Sequence, residues 1–215
     1  MPSSLSLNRR IWMLAWPLLL SNLTAPLLSL VDTAVVGHLD SPRYLAAVAM
    51  GGNYFMFLYF SFNFLRMGTT GFTAQARGGT QSTLIVMCRA VLLAAVLGGL
   101  LIAVNPWLRD LGLWLLGGSD EVQALAAQYI NIRILGAPAA LANFALIGFA
   151  IGVQRTKVPF KMTLVMHGSN ALLSYSLVYI WHFDVAGVAA ASALADYLGL
   201  AAALYWLRSE FNPAA

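Results

Sequence analysis

Six long apolar runs divide the chain, and no other feature constrains its fold so strongly. They extend from about Ile11 to Val36, Tyr44 to Leu65, Leu84 to Val104, Val122 to Ile151, Val158 to Ile180 and Val185 to Leu207. A bilayer core about 30 Å thick is crossed by a helix of about 20 mostly apolar residues. Backbone amides in hydrocarbon have no water to bond, so a segment that crosses alone must be helical. Only 9% of the 215 residues are charged, against about 25% in a typical soluble domain. That is too few to clothe a soluble globule. The fold expected is therefore all-α and membrane-integral, a six-transmembrane-helix bundle with short loops and the lipid bilayer as its solvent. The first run is too long for a signal peptide, and no small-x-small cleavage site interrupts it before the second.

The net charge of +4 is distributed as membrane topology and not as a nucleic-acid surface. Arg9 and Arg10 precede the first span, Arg77 lies in the second loop, Arg155, Lys157 and Lys161 lie in or beside the fourth, and Arg208 follows the sixth span. The loop at Asp40 and Arg43 is balanced. The third sets Arg109 against Asp110, Asp120 and Glu121, and the fifth holds His182 and Asp184. Positive residues favour the cytoplasmic side, which places both termini and loops two and four in the cytoplasm. Trp107, Trp114 and Trp181 fall near the outer ends, and "WLRDLGLWLLGG" reads as a short interfacial helix or loop. The single cysteine, Cys88, excludes an internal disulfide and a multi-cysteine metal site. No histidine pair has metal spacing, and no glycine-rich phosphate loop follows a strand. Neither Asp32 nor Asp196 lies in the glycine-x-glycine-aspartate signature of an intramembrane aspartyl protease. Enzyme chemistry, cofactors and nucleic acid are not expected.

Polar residues inside the spans are expensive and mark the bundle interior. In the first span Asn22, Ser29, Asp32 and Thr33 share about a third of the helical circumference at about 100° per residue. Pro17 and Pro26 interrupt the same span, and each removes a backbone donor and permits a bend. A polar face and two bend points in one helix describe a cavity-lining element able to move, or a static interhelical hydrogen-bond stripe. In the fifth span Thr163, His167, Asn170 and Ser174 fall on one face, and in the sixth Ser192 and Asp196 do so near mid-depth. Arg133, mid-way along the fourth span, must pair with a carboxylate or line a wet cavity, and Asp196 is one candidate partner. Arg89 lies one to two turns inside the third span; Arg66 is close enough to the end of the second to snorkel.

The stretches "WPLLLSNLTAPLLSLVDTAVVGHL", "FNFLRMGTTGFTAQARGG", "YINIRILGAPAALANFALIGFAIGVQRTKVP" and "VAGVAAASALADY" resemble, in order, the multidrug and toxic compound extrusion (MATE) transporters, and within them the DinF-like branch. The resemblance implies a twelve-helix fold of two six-helix lobes around a cleft, of which this chain matches the N-terminal lobe. It implies cation-coupled export of small amphipathic or cationic organic compounds across a bacterial cytoplasmic membrane. Asp32 then corresponds to the first-helix carboxylate that takes the coupling cation, Pro17 to the bend, and Asn143 and Asn170 to cavity positions. Ser192 stands where many relatives have threonine, and Asp196 where this branch often has an acidic residue. Ser174 stands where archaeal relatives have an aspartate, which removes a sodium ligand and favours H+ over Na+ as the coupling ion.

The resemblance covers only the first half of the family fold. That implies an N-lobe fragment or a truncated product, completed by a C-terminal lobe or by a second half-transporter. The alternatives are a lipid-linked glycan flippase of the related superfamily, which would want a more cationic cavity than Arg89 and Arg133 supply, and an inactive membrane remnant. The orientation has a direct test. With Cys88 replaced, cysteines placed near Lys157 are expected to be shielded from a membrane-impermeant reagent outside the cell, and those near Asp120 to react with it. The opposite labelling overturns the assigned topology.

Overall fold

A computed structural model of the chain describes residues 11–13, 15, 16, 19, 20, 35, 37, 41–80 and 82–210. Beyond residue 41 the described helices are α1 (Pro42–Phe60), α2 (Phe64–Gly78), α3 (Thr83–Leu116), α4 (Asp120–Arg133), α5 (Ala137–Gly152), α6 (Lys157–Tyr175) and α7 (Asp184–Leu207). There is no strand among the described residues. Most of the first apolar run lies outside them, and with it Pro17, Asn22, Pro26, Ser29, Asp32 and Thr33.

Three boundaries depart from the sequence reading. The loop expected around Arg77 is largely helix: α2 continues from α1 after a turn at 61–63, in which the N–H groups of Phe62 and Asn63 reach back three residues to Tyr59 and Phe60. The segment after Val104 is neither a separate helix nor a loop but the last three turns of the 34-residue α3, which runs on through Pro106. Its polar residues find partners across the bundle. Arg109 donates to Asp110 at 2.8 Å and to Asn131 at 2.9 Å, and the buried Asn105 donates to Asn131 at 3.1 Å. At 1.5 Å per residue such a helix is about 50 Å long, so its ends extend beyond a core about 30 Å thick. Third, the fourth span is broken by a tight turn at Ile134–Gly136. Pro138 causes it: proline has no N–H to give the carbonyl four residues back, that of Ile134, and its ring crowds that carbonyl.

Four stretches are long and apolar enough to cross a membrane among the described residues: Pro42–Gly78, Thr83–Leu116, Asp120–Gly152 and Asp184–Glu210. The helix α6 is not one of them, because His167, Ser169, Asn170 and Ser174 dilute its apolar character. It packs along α7, the most extensive helix pair among the described residues.

The centre is α5, "APAALANFALIGFAIG", whose buried residues lie all round its circumference. It contacts α2 and α3 on one side and α7 on another. Lipid tails are as apolar as leucine, so helices in a membrane associate through close packing and hydrogen bonds, and small residues permit the approach. A Cβ at Gly98 would overlap main-chain atoms of Ala137 and Pro138, and one at Gly148 would overlap the backbone of Arg66. The Thr70 hydroxyl lies between the two helices of that second contact, 2.8 Å from the Arg66 carbonyl and 3.1 Å from that of Gly148. Outside this core, Phe72, Leu92, Trp107 and Trp114 present their side chains outward, as lipid-facing residues do. Gly98→Ala and Gly148→Ala are each expected to destabilise the bundle by about 1–3 kcal/mol through overpacking. Gly99→Ala, where the added methyl meets nothing, should leave the thermal unfolding midpoint in mild detergent unchanged or raised. Equal tolerance at all three positions would refute the close-approach account.

Candidate functional site

The helices α1, α4, α5, α6 and α7 leave between them a cavity of about 200 Å³ that polar and apolar side chains line together. Asn143, His167, Asn170, Ser192 and Asp196, all singled out from the sequence, line it together. Two walls come from the paired helices α6 and α7. The spacing of His167 and Asn170 sets both on the face that α6 turns to α7, and there Asn170 donates to the Ser192 hydroxyl at 2.9 Å. Ser174, fully buried one turn further on, donates to the Asn170 side-chain oxygen at 3.5 Å. It does not line the cavity; its place is beneath Asn170, as the end of a neutral hydrogen-bond chain.

Asn143 enters from the central helix and donates to the main-chain carbonyl of Asp196 at 2.8 Å. This ties α5 to α7 where the carboxylate projects. Arg133 reaches the cavity from the end of α4, just before the break that Pro138 imposes. Tyr197, next to Asp196, donates to the Leu135 carbonyl in that break at 2.9 Å. The break and the carboxylate are therefore fixed to each other.

Arg133 and Asp196 share the cavity but form no ion pair within 4.0 Å. The partnership that the sequence suggests is replaced by another. The guanidinium donates to the Tyr129 hydroxyl at 2.6 Å and lies 4.7 Å from the ring centre of Phe55. An arginine over aromatic faces is held electrostatically without a carboxylate. Three buried polar atoms that face this region, the Tyr59 hydroxyl, Arg133 Nε and Asn143 Oδ1, have no hydrogen-bond partner among the described residues. Buried polar atoms are nearly always paired, so these three are groups whose hydrogen bonds the described residues leave unmade. Tyr59 escaped the sequence reading, since a tyrosine among Phe, Leu and Met residues carries no signal separating cavity from core. Among the described residues no group of three or more His, Cys, Asp or Glu side chains is placed to hold a metal ion. Arg89 lies away from this cavity, against α2.

The description MatE fits residues 17–176 as a family model. The chain belongs to the MatE family. It is 42% identical over 205 residues to the DNA damage-inducible protein F of Escherichia coli K12, covering 94% of this chain and 45% of that protein. It is 29% identical over 197 residues to a probable multidrug resistance protein NorM of Acinetobacter baylyi, covering 89% and 44% respectively. A multidrug resistance MATE family transporter of the MOP superfamily, solved in an outward-facing conformation, superposes with a TM-score of 0.83 at 24% identity, over 92% of this chain and 44% of that one. The last likeness concerns the fold, which is the all-α membrane bundle of a MATE N-terminal lobe. The chain spans about half the length of the curated relatives it matches. The family is one of multi-pass membrane transporters and not of enzymes.

The cavity chemistry makes a stability prediction. Tyr59→Phe removes a buried hydroxyl with no hydrogen-bond partner among the described residues and is expected to leave the unfolding midpoint unchanged or raised. Asn170→Leu strands the Ser192 and Ser174 hydroxyls and should cost about 1–3 kcal/mol. A larger loss in Tyr59→Phe than in Asn170→Leu would show that the hydroxyl is satisfied after all.

Proposed function

We propose that this chain is the N-terminal lobe of a cation-coupled multidrug exporter of the bacterial cytoplasmic membrane. Both of its termini face the cytoplasm, and its substrates are small amphipathic or cationic organic compounds. The observation that carries the reading is the cavity at the bundle centre, in which a carboxylate and an arginine remain unpaired with each other. A bundle built only for packing would close these groups upon one another. The names of the relatives, a DNA damage-inducible protein F and multidrug resistance proteins, support export of organic compounds. Their length supports completion of the cleft by a C-terminal lobe.

In this reading Asp32 is the principal coupling carboxylate and Asp196 a second that tunes or shares its proton. Asn22, Ser29 and Thr33 supply hydrogen bonds around Asp32, and Asn143, His167, Asn170 and Ser192 form the wall described above. Protonation removes a buried charge, and the first helix then repacks about Pro17 or Pro26. Ser174 in place of a carboxylate leaves the Asn170–Ser192 chain neutral, which favours H+ over Na+. A differential stabilisation of about 1.4 kcal/mol biases two conformations tenfold, so one proton suffices.

The test is efflux of a cationic dye from cells that carry the two-lobed polypeptide. Asp32→Asn, a mimic of the protonated form, is expected to insert normally and to lower pH-driven efflux about tenfold or more, the bias one proton supplies. Asp196→Asn should lower it less. Efflux by Asp32→Asn at the normal rate and with the normal pH dependence would make Asp32 structural and sink the coupling scheme.

A further inference from the structure

A second cavity of the bundle opens outward, between α2 and the first turns of α3. It encloses about 510 Å³ and is floored by Leu65, Gly68 and Thr69 and flanked by Phe72, Ala90 and Leu93. That volume lies within the range of about 300–1,000 Å³ common for small-molecule sites. One charged side chain lines it, Arg89, and no carboxylate does. Arg89 is exposed and makes no hydrogen bond, ion pair or ring contact among the described residues. The groove is thus an apolar trough with one unneutralised guanidinium at its edge.

We propose that this groove binds an anionic phospholipid, with an acyl chain along Leu65, Gly68 and Phe72 and the headgroup phosphate on Arg89. Depth supports the assignment. Arg89 lies six residues beyond Thr83, about 9 Å along the helix axis, within reach of the headgroup layer for a side chain that snorkels. At the neighbouring end of the bundle, where α2 ends, α3 begins and α5 turns into α6, Arg77 and Arg155 line one shallow pocket with Glu210. Glu210 pairs with Arg155 at 2.8 Å, so the pocket keeps one excess positive charge, that of Arg77. Guanidinium is suited to phosphate because its planar fork donates two parallel hydrogen bonds. A cationic organic compound is disfavoured in the same groove by repulsion from Arg89. Gly68 keeps the floor open: a Cβ there would meet nothing within 4 Å, so a larger side chain fills the trough without disturbing the helix pair.

Native mass spectrometry of the chain, purified in mild detergent and offered phosphatidylglycerol or phosphatidylcholine of identical acyl chains, tests the site. Phosphatidylglycerol is expected to be retained about fivefold more, the preference one basic residue gives near an anionic lipid. Arg89→Gln should remove the preference, Arg89→Lys should keep part of it, and Gly68→Leu should lower retention of both lipids. Unfolding midpoints equal to that of the unaltered chain certify the folds. A photo-reactive benzoylphenylalanine at position 72 should, in membranes, cross-link to phospholipid. Three results overturn the proposal: no difference between the lipids, a preference that survives Arg89→Gln, or displacement by inorganic phosphate at millimolar concentration as effectively as by lipid. A cross-link from position 72 to polypeptide also overturns it, since the groove would then be a protein interface.

Discussion

Backbone meets backbone where Gly98 lies against Pro138 and where Gly148 lies against Arg66. These two contacts fix the position of α5, and α5 fixes nearly everything else. In lipid there is no gain from hiding leucine from water, because the surrounding tails are equally apolar. What remains is dispersion over short distances together with interhelical hydrogen bonds, and the first requires small residues on at least one side. The alanines and glycines of α5 provide them all round, so the helix is enclosed by neighbours and excluded from lipid. Larger side chains there would push α2 and α3 outward and widen the bundle. The cavity lies beside this same helix, and its dimensions follow from how closely the helices can approach.

The break at Ile134–Gly136 is the second consequence of that arrangement. Pro138 interrupts the helical ladder at the point where α4 hands over to α5. The carbonyl of Leu135 then takes the Tyr197 hydroxyl, and Arg133 ends α4 facing the cavity. Had the helix continued unbroken, the register of Arg133 relative to Asn143 would differ, and α4 and α5 could not both border the same space. Aromatic neighbours hold the arginine in place of a carboxylate. A buried ion pair requires excellent geometry to offset the loss of hydration of both ions. Here the cation is stabilised by ring faces and one hydroxyl, which leaves the carboxylate of Asp196 without a fixed salt link.

Composition and period made the fold class legible, since runs of twenty apolar residues admit few alternatives in a bilayer. Facing positions within one helix were legible too: His167 and Asn170 on α6, and Ser192 and Asp196 on α7, reach the one cavity because side chains three and four apart share a face. Contacts between distant segments were not. That Arg133 turns to Phe55 depends on the angle between α1 and α4, which no local pattern encodes, whereas Tyr129 lies one turn before it on α4 itself. The continuation of α3 through Pro106 was hidden for a related reason. Arg109 and Asp110 look like loop residues until Asn131, on another helix, is seen to accept from the arginine. The polar and proline positions of the first apolar run, Asp32 among them, lie outside the described part of the chain.

The two walls of the cavity differ in what they can do. Along α6 and α7 the chain from Ser174 through Asn170 to Ser192 is made of neutral groups that satisfy one another. Such a chain is rigid, because breaking any member strands another in a medium of low dielectric. On the α1 and α4 side, Tyr59 and Arg133 retain donors with no protein acceptor among the described residues. These groups gain hydrogen bonds if the surrounding helices shift, while the neutral chain on the opposite wall loses them. Conformational change is therefore more readily accommodated on the side of α1 and α4 than between α6 and α7. The helix α6 packs more extensively along α7 than α1 or α4 does, so separating α6 from α7 would cost more than displacing α1 or α4.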